Sequence, residues 1–206
     1  TTAEGNTAIG YTALEDNTTG TSNVAVGAYA LANSTTAAGN VAVGVSALQT
    51  NTTGATNTAV GKDAMVNSTT GANNVSIGSI SLAANTTGSR NTAIGAESMN
   101  DNTTADNNTA IGYASLSKNT TGTSNTALGW AALEVNTTAS NNIAVGHAAL
   151  RSNTTGTRLI AIGYAALDGQ DTENDNIAIG YNTMTTNNAG GEANVVMGSY
   201  AGDAIT

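Results

Sequence analysis

The chain has one histidine, His147, and no cysteine, so any triad of a nucleophile with His would have to use that single ring. His147 stands in a column of rings that recurs with a 17-residue step: Tyr113, Trp130, His147, Tyr164 and Tyr181. No acidic motif accompanies it. Ser115 and Lys118 match a Ser-x-x-Lys pattern, which arises by chance in a chain this rich in Ser and Thr. No Walker loop or dinucleotide glycine fingerprint is present. Zinc sites need clustered Cys and His. The sequence is therefore read as non-enzymatic and without a cofactor. The ring column reads in two ways: rings that stabilise one edge by stacking, or a strip that binds a host-surface glycan or a receptor. The acidic stretch Asp168, Asp171, Glu173 and Asp175 offers carboxylates for Ca²⁺, but its spacing departs from the EF-hand loop, and it reads as a solvated turn.

The ring column is one of many columns. Glycines recur at the same 17-residue step at Gly10, Gly27, Gly44, Gly61, Gly78, Gly95, Gly112, Gly129, Gly146, Gly163 and Gly180, with Gly198 one residue late. A fixed step means that each unit stacks on a copy of itself. The repeat fills residues 1–206, which reads as a single domain of twelve coils.

Each unit begins with Asn, Leu159 excepted, then Thr/Val–Ala–Ile/Val–Gly, a short strand ended by a glycine bend. The glycine column suits positive φ or close backbone approach. A second aliphatic column (Leu14, Leu31, Leu48, Met65 and their successors) predicts a second short strand, and Asn-Thr-Thr-Gly turns the chain back. The expected fold is all-β: a parallel β-solenoid, or β-roll, with 17-residue coils and in-register Asn ladders. In this reading Ile94, Ile111, Leu116 and Leu133 are buried, and Thr103 and Thr120 are largely exposed. If the Ile column points inward, its neighbours point out, because successive strand residues face opposite sides. That predicts an outward stripe of Ala8, Ala25, Ala42, Ala59, Ala93, Ala110, Ala127, Ala144, Ala161 and Ala178 as a surface for self-association.

The phrases "NTAIG", "NVAVG" and "NTALG" resemble the head repeats of YadA-type trimeric autotransporter adhesins. With "ALxxNTTG" added, they resemble repeats of phage tail fibres. The resemblance covers about Asn6 to Tyr200. It implies a left-handed β-roll, a homotrimer or other filament, and an extracellular place on a cell surface or virion.

Composition narrows the partners. Hydrophobic residues make up 39%, charged residues 9%, and the net charge is −9 with five Lys and Arg. Nucleic acid is disfavoured by that charge. No apolar run is long enough for membrane insertion. A chain that opens at Thr1, with no signal-like stretch, reads as a processed product or a fragment of a longer fibre. Sequons such as Asn17, Asn51 and Asn85 fall out of the repeat and read first as turn residues. The leading expectation is a structural or adhesive rod segment. The alternative is an ice-binding β-solenoid with Thr/Asn arrays, which adjacent Thr residues serve poorly because they face opposite sides.

Overall fold

Thr/Val–Ala–Ile/Val is a run of β-branched residues around one small residue, and it forms a three-residue strand in every copy. In the computed structural model, which describes residues 3–169, 172–185 and 191–202, twelve such strands lie parallel. They run from β1 (Thr7–Ile9) and β2 (Val24–Val26) through β7 (Thr109–Ile111) and β8 (Thr126–Leu128) to β12 (Val195–Met197). They form one sheet in sequence order, and no helix occurs among the described residues. Register is kept from strand to strand: Ala110 pairs with Ala93 on one side and Ala127 on the other. The molecule is a parallel β-solenoid of about eleven turns.

The inward and outward faces of the strands are opposite to expectation. Ala25, Ala42, Ala59, Ala93, Ala110, Ala127, Ala144, Ala161 and Ala178 are all 0 % exposed, and only Ala8, in the end coil, is exposed. The flanking Thr, Val and Ile side chains are half-buried or exposed, including Ile94 and Ile111. The alanine stripe is thus the interior wall and cannot serve as an association surface. The reason is volume. Leu31, Leu48, Met65, Leu116 and Leu133 enter the same interior from the opposite wall and are fully buried. So short a coil is too narrow for two facing rows of large aliphatic groups, and the strand contributes the methyl while the far wall contributes the leucine. Ser76 confirms which side is inside. It replaces alanine in β5 (Val75–Ile77), is fully buried, and its hydroxyl donates to the Ser81 carbonyl at 2.9 Å, as a buried polar group must.

The far wall is not a strand either. After each glycine the chain makes successive turns, with left-handed φ at alternating residues such as Ala114 (52°) and Leu116 (53°). The Ala114 N–H reaches back to the Ala96 carbonyl (3.1 Å), whereas the Leu116 N–H reaches forward to the Ala132 carbonyl (2.9 Å). Backbone hydrogen bonding between coils therefore continues without a pleat, and every Leu of the column projects inward.

Two asparagine ladders close the coil. In the first, each side-chain carbonyl accepts the backbone N–H of the next copy: Asn108 N–H to Asn91 Oδ1 (3.0 Å), Asn125 N–H to Asn108 Oδ1 (2.8 Å). Its Nδ2 donates across the coil, as from Asn108 to the Gly122 carbonyl (2.9 Å). Asn142 serves Leu159 in the same way, donor N–H to Oδ1 at 2.9 Å, so the one missing asparagine ends a chain of acceptors without leaving its own N–H unpaired. The second ladder runs through Asn85, Asn102, Asn119, Asn136 and Asn153, and from Asn102 on each Nδ2 donates to the preceding Oδ1 at 2.9–3.0 Å. The glycine column is where side chains are excluded: Gly112 has φ +136°, and a Cβ there would sit 2.6 Å from the Gly129 carbonyl carbon.

Candidate functional site

The strand geometry leaves one broad outward face. Its first column is Thr7, Val24, Val41, Thr58, Val75, Thr92, Thr109, Thr126, Ile143, Ile160, Ile177 and Val195. Its second column, two residues on, runs from Ile9 and Val26 to Ile179 and Met197. No charged residue stands in either column. Aliphatic groups such as Ile77, Leu128, Ile143 and Ile162 are exposed on it. Sequence reasoning placed these residues inside and so missed the face. The signal was available in the volume contrast between the Ala and Leu columns.

Past the glycine bend stands the ring column. Trp130 and His147 stack with centroids 4.5 Å apart, His147 and Tyr164 at 4.9 Å, Tyr164 and Tyr181 at 5.0 Å, all within 16° of parallel. Tyr113 stands 6.5 Å from Trp130. Its hydroxyl donates to Glu97 Oε1 at 3.3 Å. The Glu97 carboxylate, with Glu134 further off, raises the Tyr113 phenol above its ordinary value, since a phenolate beside a carboxylate is disfavoured. The stack brings all five expected residues together. It also occupies the inner ring faces with one another, so what solvent meets is a row of ring edges.

The remaining candidates separate. Thr103 and Thr120, each the first of a Thr-Thr pair, are half-buried, not largely exposed: they donate their hydroxyls to the next coil's carbonyls, both at 3.0 Å. The second, such as Thr104 or Thr121, is exposed. Of the acidic stretch, Asp171 lies outside the described residues. Asp168 accepts from Ser152 (3.3 Å), Glu173 is buried, and Asp175 is held by Arg158 at 2.6 and 2.7 Å. Among the described residues, no group of three or more His, Cys, Asp or Glu is placed to hold a metal, and no helix is long and apolar enough to cross a membrane. Of the sequon asparagines, Asn51 and Asn85 are fully buried in the second ladder, and Asn17 is half-buried. No enclosed pocket is formed by the described residues.

These features define a class, the parallel β-solenoid repeat proteins, here with an uncharged outward sheet face and a ring ladder as distinctive surfaces. The chain matches no family model, no curated protein and no solved structure. The likeness to adhesin heads and tail-fibre repeats rests on the repeated phrase alone.

Proposed function

We propose that the chain is a non-enzymatic rod segment of an extracellular fibre, on a cell surface or virion, that associates with copies of itself through the flat face of its sheet. The observation that carries this is the pair of outward columns, uncharged over all twelve strands. Strands about 4.8 Å apart and three residues wide make a face of roughly 500 Å², so two such faces bury about 1,000 Å², the lower limit of a specific interface. Only a partner with side-chain rows at the same spacing can interdigitate along the whole face. A second copy has that spacing. The resemblance to trimeric adhesin heads and tail fibres supports a parallel homotrimer. Such a rod would carry an adhesive element that meets a host-surface glycan or receptor.

Sedimentation at micromolar concentration tests the reading. The parent should sediment as an oligomer. A variant with Thr92→Glu, Ile94→Glu, Thr109→Glu and Ile111→Glu should be a folded monomer with unchanged circular dichroism. A folded, monomeric parent would overturn it.

A second reading rests on the same face. Thr7, Thr58, Thr92, Thr109 and Thr126 occupy the first column beside aliphatic neighbours two residues on, giving the paired outward spacing that the Thr-Thr segment lacks. Ice binding by this face predicts thermal hysteresis that persists in the monomer. Absence of hysteresis removes it.

A further inference from the structure

The parallel-stacked ladder occupies copies seven to eleven, and Tyr200 of the last copy meets Tyr181 edge-on at 5.4 Å. In copies two to six the same position holds Ala28, Val45, Lys62, Ser79 and Ala96. Tyr113, Trp130, Tyr164 and Tyr181 are 44–47 % exposed, and His147 is exposed as well. Four steps at about 4.8 Å give the ladder a length of roughly 19 Å. Alongside it runs the aliphatic column Ile111, Leu128, Val145, Ile162 and Ile179, half-buried or exposed. Between the two columns the chain carries only glycine, from Gly112 to Gly180. The result is a shallow strip of backbone with ring edges along one margin and branched aliphatic groups along the other.

We propose that this strip binds an elongated, planar, cationic aromatic molecule lying along the rod axis. Stacked rings present their electropositive edges outward, so the electron-rich part of the ligand lies along them and receives edge-to-face contacts from several rings at once, a favoured aromatic geometry, while its cationic group is kept to the end of the ladder beside Glu97. A compact ligand would meet one ring edge and gain little. A molecule spanning three or four rungs gains from each and loses few internal rotations. The charge of the occupant follows from the ladder's first rung. Glu97 lies against the Tyr113 hydroxyl at 3.3 Å, the whole chain carries −9, and Lys118 and Arg151 are engaged with Asp101 at 3.0 Å and Glu134 at 3.5 Å. A positive end set at Tyr113 therefore finds a carboxylate. The aliphatic margin is also the second column of the face proposed for self-association, so the probe is titrated at concentrations where sedimentation shows monomer, which separates failure of the site from its coverage by a second copy.

Thioflavin T, a planar aromatic cation, is the probe. Titrated into the parent, it should give a saturable rise in fluorescence. A variant with Trp130→Ala, Tyr164→Ala and Tyr181→Ala should lose the response while its circular dichroism stays that of the parent. If that variant fails to fold, Val145→Lys, which places a cation in the aliphatic margin on an intact ladder, should lose it instead. Glu97→Gln should weaken binding about two- to fivefold, the effect of one exposed charge contact. No response from the parent, or a response kept by the folded ladder variant or by Val145→Lys, overturns the site. Affinity unchanged in Glu97→Gln overturns the assignment of a cation.

Discussion

The second asparagine ladder is broken at two places, and the breaks leave a measurable defect. Each Oδ1 within the run from Asn85 to Asn136 is satisfied by the Nδ2 of the asparagine one coil on. At Asn17 and Asn51 the residue one coil on is Ser34 or Ser68, whose side chain is too short to reach. The Oδ1 atoms of Asn17 and Asn51 are accordingly buried without a partner, and so is the Ser34 hydroxyl. Asn85 compensates weakly, its Nδ2 donating to Ser68 Oγ at 3.5 Å. Ser68→Asn should restore both bonds and stabilise the chain by about 1 kcal/mol, the net value of a hydrogen bond that satisfies a buried group. A chemical denaturation midpoint that fails to rise would show that the ladder is not the register device described here. A second effect at this scale concerns pH. The hydrogen bonds from Arg158, and then its charge, hold the Asp175 carboxyl below its ordinary value. A depressed acid contributes stability that is present above its unfolded pKa, near 3.9, and is lost as pH falls through the lower folded value. The parent should therefore lose more melting temperature than Asp175→Asn between about pH 5 and pH 2. Both side chains are exposed, so the difference is small.

At the scale of the strand, Ala110 and Ile111 are neighbours with opposite fates. Ala110→Leu forces a large group into a wall already faced by Leu116 and Leu133 and should destabilise by about 1–3 kcal/mol or more. Ile111→Leu, on the outward face, should change thermal stability by less than about 0.5 kcal/mol. Equal losses in the two variants would return the inside of the coil to the Ile column. This pair also marks what the sequence could and could not tell. The 17-residue step, the strand at Thr/Val–Ala–Ile/Val, the glycine bend and the asparagine register were legible, because each repeats a residue type that only one local geometry suits. Alternation along Thr-Ala-Ile specifies two faces but not which is inner. That choice depends on the distance to the opposite wall, a property of the closed coil. The far wall was less legible still. Leu116 at φ 53° contradicts the preference of a branched residue for negative φ, and the inter-coil hydrogen bonds and the burial of the Leu side chain outweigh it. The ring ladder was legible as a column, while the occupation of its faces by one another was not.

For the whole molecule, each strand meets only the strands before and after it, and among the described residues no pairing links strands further apart. Stability is then a sum of coil terms and nearest-neighbour terms, without a central core that all parts share. The sequence already contains one test of tolerance. Between β11 (Ile177–Ile179) and β12 the step is one residue longer than elsewhere, and Ile177 still pairs with Val195 in parallel register. The extra residue lies in the connection, so strands and ladders stay aligned. Removal of one whole repeat, residues 109–125, should therefore join Asn108 to Thr126 with every column in phase. The product should be a folded rod about 5 Å shorter. Its denaturant slope should fall by roughly a twelfth, since the slope follows the surface exposed on unfolding. Removal of only residues 109–116 joins the Asn108 ladder position to Ser117. This places polar turn residues in the strand path and puts Asn119, not Asn125, next in the chain. That deletion should split the rod into two cooperative units or abolish the sharp transition. Small-angle scattering for length and urea unfolding for the slope distinguish these outcomes. Equal tolerance of the whole-coil and half-coil deletions would mean that the columns do not hold the coils in register.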